Sequence, residues 1–251
     1  MRSNDAAHVP PWVLLRGLTR EQRHWGTFVS ALQQAQPDAR VVTLDLPGNG
    51  ELHRERSPAQ VDAMAAHCRQ ALRDRGIAPP YRVLAMSLGA MVATSWCVQH
   101  PQDIARLVLI NTSLRPFSPW YHRLRPRRYA TLLRLMLTRP GAAAWERAVL
   151  RLTSNAQPLD DALVQRWAGY RGERPVSAAN ALRQLWAAAR YRAPRAKPCA
   201  EVLLLASARD GLVDGRCSAA LARAWDCDLV LHPWAGHDLP LDDERWVVEQ
   251  V

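Results

Sequence analysis

The chain has 251 residues, of which 48% are hydrophobic and 22% charged, and a formal net charge of +10. That length allows one large hydrophobic core, and the composition excludes a disordered or fibrous chain. Apolar runs such as 202–206 are far too short to cross a bilayer, so no membrane span is expected.

The first ten residues show no basic segment followed by a long apolar one, and an unexported, cytoplasmic protein is the expectation. From Trp12 onward, short apolar strands alternate with helical stretches, the pattern of a mostly parallel sheet covered on both faces. Strands are predicted at 12–15, 40–46, 81–86, 105–110, 201–206 and 228–232, and helices at 25–36, 58–75, 88–100, 218–225 and 242–251. The spacing of Val61, Met64, Ala65, Cys68 and Leu72 gives the second helix one apolar face. After the fourth strand the alternation stops, and the chain becomes Arg-rich, Trp-rich and helical, with breaks at Pro126, Pro140, Pro158 and Pro175. The expected organisation is therefore an α/β core of residues 1–112 and 199–251 with a helical lid, 113–198, inserted after the fourth strand. Such an insertion would stand over the carboxyl ends of the strands, where open α/β sheets place their ligands.

The positive charge sits in that insertion. Residues 113–198 hold 17 Lys plus Arg against 4 Asp plus Glu, a net +13, which leaves 16 against 19 elsewhere. Of the 33 basic residues 32 are arginine, a bias that a GC-rich coding sequence also produces, so the charge is read either as composition or as a face for an acidic partner. The five cysteines, at 68, 97, 199, 217 and 227, form no CxxC pair, and an odd number cannot all pair internally. Reduced thiols and no structural zinc are expected.

The strongest local signal is Ala85-Met86-Ser87-Leu88-Gly89, between a predicted strand and a predicted helix. A serine at so sharp a turn is held with its hydroxyl exposed, and small residues two positions either side let strand and helix approach. The usual pattern is GxSxG, and Ala85 replaces its first glycine. A hydroxyl needs a base within reach and a carboxylate that fixes the base's tautomer. Asp210, in Arg209-Asp210-Gly211-Leu212-Val213, and His237, in Ala235-Gly236-His237-Asp238, each follow a strand, so all three can meet at one edge of the sheet. Asp214 is read as a surface or capping acid, and Asp238 as solvent-facing or as fixing its loop. His24, His53, His67, His100, His122 and His232 lack the Gly-His loop context and are read as structural, with Trp25 as packing. Backbone N–H groups of Leu18 and Leu88 are expected to hold an oxyanion. Arg16 stands where a histidine usually precedes that loop's glycine, which leaves open what supports the loop.

Together, Arg16-Gly17-Leu18, Asp45-Leu46-Pro47-Gly48-Asn49-Gly50, Met86-Ser87-Leu88-Gly89, Arg209-Asp210-Gly211-Leu212-Val213 and Gly236-His237 resemble the α/β-hydrolase superfamily from Trp12 to nearly the end of the chain. The resemblance implies an α/β-hydrolase fold and a serine hydrolase that cleaves a carboxylic ester through an acyl-enzyme, without cofactor or metal. Within the superfamily the chain is similar to the small bacterial pimeloyl-[acyl carrier protein] methyl ester esterases in length, in the Asp-Gly-Leu-Val stretch and in a four-helix lid. That likeness implies a small or carrier-bound ester as substrate and an acidic acyl carrier protein drawn to the basic lid. A lyase or synthase using the triad for proton abstraction is the alternative, ahead of a thioesterase, an aminopeptidase or a non-catalytic binding protein. Nucleic acid is not expected as a partner. Trp120, Tyr121, Tyr129, Trp145, Trp167, Trp186 and Tyr191 fall at helical spacing and are read as packing inward or lining an apolar acyl pocket.

Overall fold

A computed structural model describes residues 9–199 and 201–251. Most of the stretch read as lacking an export signal, residues 1–8, lies outside them. The strands are β1 (Trp12–Leu15), β2 (Val41–Leu44), β3 (Tyr81–Met86), β4 (Ile104–Ile110), β5 (Val202–Ser207) and β6 (Asp228–His232). They form one sheet in the order β2-β1-β3-β4-β5-β6, with every pair parallel. Between β1 and β3 the winding reverses, and such a switch point opens a crevice at the carboxyl ends of the strands.

The helices on the core are α1 (Phe28–Ala35), α2 (Val61–Asp74) and α3 (Leu88–Gln99). Between β4 and β5 come α4 (Trp120–Arg123), α5 (Tyr129–Thr138), α6 (Ala142–Thr153), α7 (Asp161–Glu173) and α8 (Ala178–Arg190), and then α9 (Arg216–Trp225), α10 (Leu239–Asp242) and α11 (Glu244–Gln250) close the chain. Alternation along the strands separates two cores. Val13, Leu15, Val83, Ala85, Leu107 and Leu109 pack on one face with α2 and α3, and the predicted stripe Val61, Met64, Ala65, Cys68 and Leu72 is fully buried there. Trp12, Leu14, Leu84, Met86, Val108 and Ile110 pack on the other with Phe28, Leu32 and Val247. Helix α3 is buried from Leu88 to Cys97, and so shows no amphipathic stripe.

Three departures from the sequence expectation have a local physical cause. β2 ends at Leu44 because Asp45 leaves the ladder and accepts hydrogen bonds from the Gln22 and Glu51 amides at 2.7 and 3.0 Å. The first helix is split: Gln22–Trp25 forms a 3₁₀ turn, and Gly26, with φ at +56°, interrupts the chain before α1. The final helix is also two pieces, because Asp243 is extended at φ −153° and its side chain caps α11 at the Trp246 amide.

The inserted helices are tied to the core by ion pairs and by capping. Arg20 and Arg23, in the loop after β1, reach Glu146 on α6 at 2.6 Å and Glu173 on α7 at 2.5 Å. Asp160 and Ser177 cap α7 and α8. The cysteines are all free, with Cys68, Cys97 and Cys217 buried. Among the described residues no helix is long and apolar enough to cross a membrane.

Candidate active site

Ser87 occupies the first position after β3 with φ at +53° and ψ at −117°, a conformation that costs a residue with a Cβ roughly 1–3 kcal/mol. The neighbouring chain over-determines it. The Ser87 amide donates to the Ile110 carbonyl at 3.0 Å, and the Ser87 carbonyl accepts from the Ala90 amide at 3.1 Å. Gly89 explains one half of the small-residue pattern, since a Cβ there would lie 2.6 Å from the carbonyl oxygens of Leu15 and Arg16. Ala85 points into the core formed with α2 and α3, where its methyl is accommodated with no exposure.

Asp210 and His237 lie on the loops after β5 and β6 and are 3% and 6% exposed. His237 Nδ1 and Asp210 Oδ2 are 2.7 Å apart. Asp210 Oδ1 accepts from the Leu212 and Val213 amides at 2.7 and 3.0 Å, which aims the other oxygen at the imidazole. Burial by itself would lower the His237 pKa, but the charge of Asp210, its hydrogen bond and the charge of Asp238 outweigh that and raise it above 6.5. Ser87 sits on the same edge of the sheet, half-buried. Among the described residues no hydrogen bond joins its hydroxyl to His237. Active-site bonds of this kind are often long in unliganded enzymes and tighten around substrate.

The backbone N–H groups of Leu18 and Leu88 donate no hydrogen bond among the described residues. A Cβ on Gly17 would lie 3.1 Å from the Ser87 Cβ, so the loop after β1 runs directly beside the elbow.

Arg16 supports that loop. Its Nη1 and Nη2 donate to the two oxygens of Asp238 at 2.9 and 2.5 Å, and both side chains are under 5% exposed. Asp238 therefore fixes its loop and does not face solvent. The pair joins the loop after β1 to the residue following His237. Replacing Asp238 with alanine leaves a buried, unpaired guanidinium, and denaturant unfolding is expected to show a loss of about 3–5 kcal/mol.

Several supporting residues lack a sequence signature. Asn111, with φ at +46°, donates from Nδ2 to the His237 carbonyl at 2.8 Å and to Ser207 Oγ at 3.0 Å, binding the ends of β4 and β5 to the histidine loop. Asn155, beyond α6, donates from Nδ2 to the carbonyls of Arg209 and Trp234 at 3.0 and 2.9 Å. A Cβ on Gly236 would lie 2.6 Å from the Thr153 carbonyl, which is why glycine precedes the histidine.

Other residues stay outside the constellation. Asp214 precedes α9, accepts from the Arg216 amide at 3.0 Å and pairs with the Arg216 side chain at 2.8 Å. His232 is buried and accepts from the Ala235 amide at 2.9 Å, while His24 packs edge-on against Trp167 with centroids 4.7 Å apart. Burial beside Arg20 and Arg16 holds the His24 pKa well below 6.5. Trp25 stacks on Phe28 at 5.4 Å. The aromatic residues of the insertion do not all pack inward: Trp167 is buried, but Trp120, Tyr121, Tyr129 and Trp186 are 64%, 48%, 39% and 55% exposed. The short α4 and α5 bury only Leu135 between them, and Trp120 packs against Tyr121 and Tyr129, with centroids 5.7 and 6.3 Å apart, outside the core. A surface cleft of about 430 Å³ beside α4 is lined by Tyr121, His122, Arg125, Pro126, Arg127, Asp214 and Arg216, none of them a residue of the proposed site.

Comparison with known proteins agrees with this architecture. The family profile described as alpha/beta hydrolase fold matches residues 10–244. A 95-residue stretch, 37% of the chain, is 33% identical to the pimeloyl-[acyl-carrier protein] methyl ester esterase of Chromobacterium violaceum and spans 34% of that protein's length. Over 97% of the chain, identity is 29% to 90% of the Shigella flexneri protein named "Putative carbamate hydrolase RutD". Among solved structures, the Mycobacterium tuberculosis protein titled "Putative non-heme bromoperoxidase BpoC" superposes with a TM-score of 0.75 at 23% identity, covering 96% of this chain and 90% of that one.

Proposed function

The chain belongs to the α/β-hydrolase fold family and is an enzyme, and from that membership we propose that it is a serine hydrolase cleaving a carboxylic ester through an acyl-enzyme. The observation that carries the reading is the buried 2.7 Å contact of His237 with Asp210 on the sheet edge where Ser87 sits at the strained turn. His237 Nε2 takes the hydroxyl proton as Ser87 attacks the carbonyl carbon, and Asp210 holds the imidazole in the tautomer that leaves Nε2 free. The Leu18 and Leu88 amides receive the charge that develops on the carbonyl oxygen. The alcohol departs with the proton from His237, and a water activated by the same histidine then releases the acid.

Residues 113–198 form the lid in this reading, and the 17 Lys plus Arg against 4 Asp plus Glu there suit an acidic carrier of the acyl group. The partial identity to a methyl ester esterase that acts on an acyl-carrier conjugate supports a carrier-bound ester as the physiological substrate. A second reading, cleavage of a carbamate by the same attack, draws on the similarity to the RutD protein over 97% of the chain.

A series of p-nitrophenyl esters from acetate to decanoate tests the ester reading. Turnover with one preferred chain length is the expected result. No turnover on any ester, alongside hydrolysis of a carbamate, would transfer the assignment to the second reading.

A further inference from the structure

Gln184 belongs to α8, within the insertion, yet its side chain is 0% exposed and holds two loops of the core. Its Oε1 accepts from the Thr19 backbone N–H at 2.9 Å. Its Nε2 donates to Asn49 Oδ1 at 2.8 Å and to Ser57 Oγ at 3.0 Å. Asn49 Nδ2 donates in turn to the Arg20 carbonyl at 2.9 Å. Both ends of one buried amide are thus committed to the turn after β1 and to the loop after β2.

That turn carries the Leu18 amide. Gly17 O accepts from Arg20 N at 3.2 Å, and this carbonyl lies in the same peptide unit as the Leu18 N–H. Since a trans peptide directs its C=O and N–H in opposite directions, the bond turns the Leu18 N–H away from the inside of the turn. The next peptide unit ends in the Thr19 N–H, which Gln184 holds. Both units flanking the Leu18 Cα are therefore pinned, one by the turn and one by α8. Thr19 has φ at +57°, a conformation that a β-branched residue adopts only under constraint. Without the Gln184 acceptor, the Thr19 amide would lose its hydrogen-bond partner and the strained residue would be free to relax.

We infer that Gln184 is a positioning residue for the oxyanion site, so that a lid helix forms part of the apparatus that stabilises the transition state. The inference rests on the reading of Leu18 as an oxyanion donor. Gln184 touches neither the reacting atoms nor the triad, and acts only through the 17–20 turn.

The test compares Gln184→Met with Asn180→Ala in the whole chain. Asn180 lies one turn earlier on α8; it accepts from the Ser57 amide at 2.9 Å and donates to the Glu55 carbonyl at 2.8 Å, without contact with the 17–20 turn. Full removal of an oxyanion donor costs about 10²–10³ in kcat, and loosening one is expected to cost roughly tenfold to a hundredfold, with KM changed by less than about threefold. Asn180→Ala is expected to lower Tm while leaving kcat within about twofold of wild type. Phosphonylation of Ser87 by a fluorophosphonate, which needs no ester substrate, should slow in Gln184→Met by a similar factor. Wild-type kcat and labelling rate in Gln184→Met, or equal losses in both variants, would overturn the inference while leaving the ester reading intact. Should Gln184→Met fail to fold, Gln184→Asn, which keeps the amide but shortens its reach, carries the same expectations. A wild type that neither turns over esters nor labels at Ser87 overturns both.

Discussion

Ser87→Ala is expected to lower turnover of an activated ester by on the order of 10⁶, and His237→Ala by a similar factor, with the fold unchanged. The size of the loss follows from chemistry that has no substitute in the site. Without the Ser87 oxygen there is no acyl-enzyme, and water would have to attack a carbonyl that two amides merely polarise. Without His237 the hydroxyl keeps its proton at neutral pH and is a poor nucleophile. The two losses should not add in a double variant, because each group acts only through the other. Alanine at position 87 also relieves no packing, since the strained turn is set by the Ile110 carbonyl and by Gly89, both of which remain. Steady-state kinetics on a p-nitrophenyl ester, with circular dichroism of each variant, checks the expectation.

The second large effect belongs to Asp210→Asn, expected to reduce turnover by about 10⁴. Asparagine still offers Oδ1 to the Leu212 and Val213 amides, so the loop keeps its shape. Toward His237, however, it presents an N–H where the imidazole needs an acceptor, which favours the tautomer with the proton on Nε2 and blocks the base. The pH dependence should move as well. Protonated His237 cannot take the serine proton, so kcat/KM falls as pH drops through the His237 pKa, which in the wild type lies above 6.5. The Asp210 charge and hydrogen bond raise that pKa against the effect of burial, and their removal should shift the acid limb of the profile to lower pH. An acid limb in Asp210→Asn at or above the wild-type position would contradict the assigned role.

The alternating strands and helices were legible because apolar periodicity sets them, and all six strands lie within two residues of their expected ends at both termini. The proposed nucleophile, acid and histidine could be picked out in the sequence because each follows a strand and carries a local signature. What escaped the sequence is tertiary. The Arg16 to Asp238 pair spans 222 residues, Gln184 reaches Thr19 across 165, and Asn111 reaches the His237 carbonyl across 126. No periodicity encodes such contacts. The aromatic residues of the insertion misled for a related reason. Helical spacing says which residues share a face, but not whether another element covers it, and among the described residues none covers the outer faces of α4 and α5.

The central claim is that Ser87 is the nucleophile and His237 its base. The most direct measurement is intact-mass and peptide mass spectrometry of the protein after treatment with a fluorophosphonate. One adduct, on the peptide that contains Ser87, formed quickly by the wild type and absent from His237→Ala over the same interval, is the predicted result. An adduct on another residue, or labelling of Ser87 at an equal rate without His237, would contradict the account.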